Sequence, residues 1–132
     1  MDLELQHIGI MVKDIEKARQ NYINLGYKIK SQVVHDPVQT AYAQFLELTK
    51  GQPLVELVSP DGPESKLFNA LKKGGGLNHL CYKTANIEAS CDELRSSRMF
   101  LLQAPVKAVA FKGRQIAWLM GKDGIPIELV EA

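Results

Sequence analysis

The sequence is poor in several features that would assign a function class directly. It has 132 residues but only two cysteines, Cys81 and Cys91, and their spacing matches neither a CxxC pair nor a zinc ribbon. The formal net charge is only +1, and no basic stripe is interleaved with aromatic residues, so nucleic acid is not an expected partner. No apolar run approaches the length of a membrane span, so a membrane partner is not expected either.

The amino-terminal segment also lacks the features of a targeting signal. MDLELQ contains acidic residues and no apolar stretch of the kind found in signal peptides. Two thiols in such a chain are typical of a reducing compartment, so we expect a cytoplasmic location. The content of 45% hydrophobic and 23% charged residues is ordinary for a globular protein, and a chain of this length can bury a core without disulfides.

Hydrophobic periodicity and turn residues predict short strands that alternate with three helices. Asp14 and Asn86 are suitable N-cap residues for the first and the last helix, and glycines follow the middle helix. The predicted strands are 3–12, 27–34, 40–48, 54–58, 77–84, 99–102, 105–111, 114–120 and 125–131, and the predicted helices are 15–25, 64–73 and 87–97.

The chain contains an internal repeat with an offset of 72 residues. HIGIMVKDIEKA, which begins at His7, aligns with HLCYKTANIEAS, which begins at His79. The same offset places VELV on IELV, so that Glu56 falls on Glu128. In each half a histidine therefore precedes a glutamate by 49 positions.

The repeat also predicts the organisation of the chain. Each half reads as strand, helix and three strands, and no low-complexity linker separates the halves. We therefore predict one domain over 1–132, made of two modules at 1–60 and 77–132 that a short helix joins.

The paired histidines and glutamates are residue types that bind metal ions. Each lies within an apolar strand, and a buried carboxylate without a partner costs several kcal/mol. A shared cation offsets that cost, and two imidazoles with two carboxylates suit Zn²⁺, Co²⁺, Ni²⁺, Mn²⁺ or Fe²⁺. We therefore predict that one divalent metal ion is bound by His7, Glu56, His79 and Glu128.

Each of these residues also has an ordinary structural explanation when it is taken alone. A single strand histidine is commonly a hydrogen-bonded structural residue, and a single strand glutamate commonly faces solvent at a sheet edge. The matched spacing of the four residues favours the metal site over these explanations. His35 has no counterpart in the repeat and lies in a predicted turn, so we expect it at the surface.

Four segments of the chain resemble the vicinal oxygen chelate superfamily, also called the glyoxalase fold. They are HIGIMVKDIEKARQNYINLGY, VELVSPDGP, GGGLNHLCYKTANIE and KDGIPIELVE. The resemblance implies an α+β fold in which two βαβββ modules form a curved mixed sheet around one metal ion. It implies the same four ligands as the repeat, and it makes a homodimer the expected assembly.

Within the superfamily, the segment that joins the two modules, SPDGPESKLFNALKKGGGLNHL, resembles the corresponding segment of methylmalonyl-CoA epimerases. This implies epimerisation of a 2-methylmalonyl-CoA-like substrate, in which a base removes the C2 proton and an enolate forms. On that interpretation Glu128 is the first candidate for the base, because a ligating carboxylate can detach and approach the substrate. Glu47 is the second candidate.

Two other functions are compatible with the same pattern. A glyoxalase I (lactoylglutathione lyase) enzyme uses the same ligand types and moves a proton between adjacent carbons of a thiohemiacetal. A metal-free ligand-binding or resistance protein is a third interpretation, but such proteins usually lack part of the ligand set. Metal content and the choice of substrate distinguish the three.

Overall fold

A computed structural model describes all 132 residues, and it consists mainly of short strands with three α-helices. The elements in chain order are β1 (Glu4–Met11), α1 (Ile15–Asn24), β2 (Lys28–Ile29), β3 (Val34–Asp36), β4 (Ala41–Glu47), β5 (Leu54–Pro60), α2 (Phe68–Lys72), β6 (Gly76–Thr84), α3 (Ile87–Ser96), β7 (Phe100–Lys107), a 3₁₀ helix (Val109–Phe111), β8 (Gln115–Met120) and β9 (Pro126–Glu131). None of the helices has both the length and the apolar character that crossing a membrane would require.

The chain divides into two compact units. We call residues 8–78 the first unit, and residues 1–7 with 79–132 the second unit. β1 supplies its beginning to the second unit and its end to the first. β6 and β9 are parallel whereas the other described pairs are antiparallel, which confirms the predicted α+β fold with a mixed sheet.

In the first unit, α1 packs on antiparallel strands. Asp14 caps the helix, since its side chain accepts a hydrogen bond from the Lys17 backbone N–H at 3.3 Å. Ile15 then packs with Leu46 of β4 and Leu57 of β5, both of which are fully buried. β4 pairs with β5 on one side and with the short strands β2 and β3 on the other.

The predicted strand at 27–34 is wrong, because the chain forms two separate short strands there. The backbone N–H groups of Lys30 and Ser31 both donate to the Phe45 carbonyl, at 2.9 and 3.3 Å. The Ser31 hydroxyl in turn accepts the Phe45 N–H, and the side chain of Gln44 donates to the Ser31 carbonyl. These contacts use the groups that a regular ladder would need. The turn predicted at His35 begins instead after Asp36, so that His35 lies in β3.

The middle helix is shorter than predicted. α2 covers only Phe68–Lys72, because the hydroxyl of Ser65 donates to the Thr40 carbonyl and accepts the Leu67 N–H, which holds the preceding residues in a turn. The two strands predicted at 99–102 and 105–111 are replaced by one strand, β7, whose pairing with β8 shifts register twice. The end of the second predicted strand is wrong, because Val109–Phe111 form the 3₁₀ helix.

In the second unit, α3 covers one face of the neighbouring strands β6, β9, β8 and β7. Ile87 and Cys91 of the helix pack on Leu119 of β8 and Leu129 of β9. Asn86 caps the helix by accepting the Ala89 N–H at 3.0 Å. Because successive strand residues alternate between faces, residues such as Glu128 lie on the face away from α3.

Candidate metal centre

Three of the predicted ligands meet in the second unit. His7 lies on β1, His79 on β6 and Glu128 on β9, and their exposed fractions are 0%, 2% and 5%. Polar side chains of this kind are rarely buried so completely unless they bind one another or an ion. Their burial therefore excludes the explanation that these residues face solvent, and it makes them candidates for a binding site.

The ligand atoms of these three residues converge on one place. His7 Nε2 lies 2.9 Å from His79 Nε2, and Glu128 Oε1 lies 3.2 Å from the first nitrogen and 3.4 Å from the second. The Nδ1 atom of His7 is hydrogen-bonded to Gln6 Oε1. A partner at the far ring nitrogen fixes the orientation of a histidine and directs Nε2 towards the cluster, as around metal-binding histidines.

Glu128 Oε1 has no hydrogen-bond partner although two imidazoles approach it. These approaches have the distance of an ion pair without the direction of a hydrogen bond. A buried acceptor left in this state costs about 1–3 kcal/mol, which a cation bound between the three atoms would offset. Two imidazole nitrogens and a carboxylate are also a common donor set for divalent transition metals. The residues therefore fit a divalent metal ion.

The electrostatics of the cluster favour an ionised Glu128. Burial of the carboxylate raises its pKa, but the attraction of His7 and His79 outweighs burial and leaves the pKa below its ordinary value. A carboxylate that stays ionised when buried can act as a metal ligand and can accept a proton.

Aromatic side chains line the cluster. The Phe111 ring stacks on the His7 ring with centroids 5.9 Å apart, and the Trp118 ring meets the His79 ring edge to face at 4.8 Å. Trp118 also lies directly opposite Glu128 in the pairing of β8 with β9, which places both on one face. The cluster is therefore a largely dry site that would strengthen electrostatic interactions with a ligand.

Comparison with known proteins shows the family to which this chain belongs. Residues 6–118 match the glyoxalase/bleomycin resistance protein/dioxygenase superfamily. The chain belongs to this superfamily. Its mixed-sheet architecture is accordingly a glyoxalase-like fold, as the sequence predicted.

The relatives of this glyoxalase-superfamily chain include methylmalonyl-CoA epimerases. The mitochondrial methylmalonyl-CoA epimerase of Homo sapiens is 32% identical in an alignment of 132 positions that covers 97% of this chain and 73% of the human protein. The crystal structure of methylmalonyl-CoA epimerase from Mycobacterium tuberculosis is 27% identical, with a TM-score of 0.84 over 96% of this chain and 86% of that one. A variant of the Streptomyces coelicolor enzyme in complex with 2-nitronate-propionyl-CoA is 25% identical, with a TM-score of 0.86 over 99% and 96% of the two chains.

The remaining predicted site residues of this superfamily member lie in the first unit. Glu56 is buried in the middle of β5, 5% exposed, and faces Phe45 of β4 in the register. Glu47 is two residues beyond Phe45, so it shares the strand face of Glu56. Its side chain is 28% exposed and lies 3.9 Å from the Lys30 ammonium group. The roles of both glutamates stay predictions.

His35 lies at the surface, as predicted. Its side chain is 46% exposed and its Nε2 lies 2.9 Å from Asp61 Oδ2.

Sequence reasoning missed Gln6, Phe111 and Trp118. The turn GKDG between two apolar strands indicates a hairpin, and its register would have placed Trp118 opposite Glu128. Gln6 precedes His7 directly, but strand alternation places the two on opposite faces, so alternation alone gives no contact. Nothing in the sequence indicates that Phe111, in a 3₁₀ helix, stacks on His7.

Proposed function

We propose that this protein is a metal-dependent epimerase of 2-methylmalonyl-CoA or a closely similar acyl-CoA. The observation that carries the proposal is the buried cluster of His7, His79 and Glu128, with an unsatisfied carboxylate oxygen, in a homologue of methylmalonyl-CoA epimerases. The acyl-CoA analogue bound by the Streptomyces coelicolor relative supports a substrate of the same class.

The proposed ligand set adds Glu56 to these three residues. Its support is the repeat, in which a glutamate follows each histidine by 49 positions, together with the burial of the Glu56 carboxylate. The same repeat supports the two βαβββ modules, 1–60 and 77–132. A bound Co²⁺, Zn²⁺, Ni²⁺ or Mn²⁺ would polarise substrate oxygens and so acidify the C2 proton.

The chain's own carboxylates would move the proton. We assign Glu128 as the base that removes the C2 proton, because its buried Oε1 atom lies beside both imidazoles and has no hydrogen-bond partner. The electron pair of the C–H bond passes into the thioester carbonyl, and a second group must return a proton to the opposite face of C2. Glu47 is the candidate for that group and the alternative for the base, since it shares the strand face of Glu56.

The dry surroundings of the cluster would assist this reaction. The rings of Phe111 and Trp118 cover the two imidazoles, which keeps water from competing for the base and for the developing charge. The contacts of His79 with the Trp118 ring and with the Glu128 carboxylate would hold that carboxylate in one orientation.

The test is exchange of the C2 proton in D₂O. Purified protein should contain about one divalent metal ion per chain and should incorporate deuterium at C2 of methylmalonyl-CoA, and a chelator should abolish the incorporation. The thiohemiacetal of methylglyoxal and glutathione is the comparison substrate. If the protein converts that adduct but incorporates no deuterium into methylmalonyl-CoA, the proposal is replaced by glyoxalase I chemistry. If the purified protein contains no stoichiometric metal, a binding protein is favoured.

We also propose a cytoplasmic homodimer. Cys81 and Cys91 are buried and form no disulfide, which is compatible with a reducing compartment. β7 exposes Phe100 and Leu102, and an exposed apolar strand of this kind suits contact with a second copy of the chain.

A further inference from the structure

Two buried side-chain atoms of the chain lack a hydrogen-bond partner, and they belong to residues that face each other across two strands. One is the acceptor Glu128 Oε1, which lies against His7 and His79. The other is Trp118 Nε1, whose N–H group can only donate. The donor and the acceptor are therefore neighbours that do not satisfy each other.

The indole of Trp118 belongs to the lining of the cluster. Its ring centroid is 4.8 Å from that of His79, and the two rings meet at 76°. A buried N–H group without an acceptor carries a free-energy penalty, whereas a phenylalanine would fill most of the same space without it. The penalty disappears if a ligand supplies the acceptor.

We propose that the Trp118 Nε1–H group donates a hydrogen bond to an acyl oxygen of the substrate. The inference rests on the proposed function, because a 2-methylmalonyl thioester brings carboxylate and thioester oxygens, both acceptors, to the cluster. A donor fixed in a buried site binds the thioester oxygen more strongly as negative charge develops on that oxygen during removal of the C2 proton. Trp118 is then a catalytic residue that touches the substrate.

The chain offers a direct spectroscopic test, since Trp118 is its only tryptophan. In protein labelled with ¹⁵N and loaded with diamagnetic Zn²⁺, the indole N–H gives a single resonance. Addition of 2-nitronate-propionyl-CoA should move this resonance downfield and slow its exchange with solvent. Free coenzyme A, which lacks the acyl oxygens, is the control and should leave the resonance in place. An indole resonance that the acyl analogue does not move overturns the inference.

Two substitutions test the energetic consequence. Trp118→Phe removes the N–H group, and replacement of Trp118 by β-(3-benzothienyl)alanine removes it while keeping the shape of the indole. Each should weaken binding of the analogue and lower kcat/KM for C2 exchange by roughly 10- to 100-fold, with metal content unchanged. The isosteric replacement keeps the test decisive if Trp118→Phe fails to fold.

The outcomes separate this inference from the proposed function. If the wild-type protein neither exchanges the C2 proton nor binds the analogue, the proposed function is wrong, and the inference is overturned with it. If the wild-type protein is active and the benzothienyl variant matches it in both binding and kcat/KM, only the role of Trp118 is overturned.

Discussion

At the scale of single residues, Glu128 combines a ligand position with a position for proton transfer. Glu128→Gln keeps the shape of the side chain but removes the charge that His7 and His79 stabilise. We expect kcat/KM for C2 exchange to fall by about 10²–10⁴-fold, because an amide cannot accept the C2 proton. Exchange kinetics and elemental analysis of the purified variant measure the effect. A variant that keeps both its metal and full activity would show that another group is the base.

Glu56 tests whether the repeat defines the ligand set. Glu56→Ala should weaken metal binding by about 10- to 100-fold, measured by competition with a chromogenic chelator. Glu64→Ala is the matched control, because Glu64 is an exposed glutamate outside the repeat pair. If both variants bind metal as the wild-type protein does, the ligand set ends with the three residues of the second unit.

Glu47 separates the two base candidates. Glu47→Gln should lower kcat for C2 exchange without changing metal content, since Glu47 is outside the proposed ligand set and is partly exposed. Exchange followed from each epimer of the substrate decides its role. If the exchange rate falls from only one epimer, Glu47 transfers the proton on one face of C2. If the rates from both epimers are unchanged, Glu47 has no part in the mechanism.

Residue types and spacing were enough to predict three residues that the structure brings together. His7, His79 and Glu128 are polar residues within apolar strands, and the histidines are related by the repeat. Such residues are rarely buried unless they bind one another or an ion. The contacts of Trp118 and Phe111 were not predictable in the same way. They depend on strand register and on a 3₁₀ helix, which are set by packing and not by local composition.

At the scale of elements, the glycines after α2 are required by the way this helix ends. The Gly75 N–H donates to the Ala70 carbonyl and the Gly74 N–H to the Leu71 carbonyl, which is a Schellman arrangement. Gly75 has φ of +68°, and a Cβ at this position would lie 2.8 Å from the backbone oxygen of Met11.

Gly75→Ala should therefore destabilise the protein. We expect the free energy of unfolding to fall by about 1–3 kcal/mol, because the left-handed backbone and the contact with Met11 are both unfavourable for alanine. Gly62→Ala is the control, since a Cβ there meets no atom within 4 Å and the backbone is not left-handed. Urea denaturation of the two variants measures the difference. Equal midpoints would show that the backbone after α2 accommodates the alanine side chain without a loss of stability.

The elements that sequence reasoning placed badly share a physical cause. The strand at 27–34 and the helix at 64–73 are both interrupted where a serine, Ser31 or Ser65, forms side-chain hydrogen bonds with a distant backbone group. Periodicity reports which residues are apolar, and it carries no information about a hydroxyl that competes with the backbone. Helices α1 and α3, whose caps are local, were predicted within one residue at each end.

At the scale of the whole molecule, the order of elements and the repeat predicted two halves, each of a strand, a helix and three strands. The α+β fold was implied by the resemblance of the quoted segments to the superfamily. Substrate choice did not follow in the same way, because it depends on the side chains that contact the substrate. The repeat contains ligands and structural positions but no information about an acyl chain.

The proposed homodimer gives the last prediction. β7 is the outer strand in the order of the second unit, and its alternating residues Phe100 and Leu102 are 73% and 54% exposed. Phe100→Glu places a charge on this apolar surface, so we expect a dimeric wild-type protein and a monomeric variant that still binds metal. Light scattering across a concentration series measures the mass. Ile29→Glu, a matched substitution of an exposed apolar residue on β2 of the first unit, should stay dimeric. A monomeric wild-type protein would refute the dimer, and a dimeric Phe100→Glu variant would move its interface away from β7.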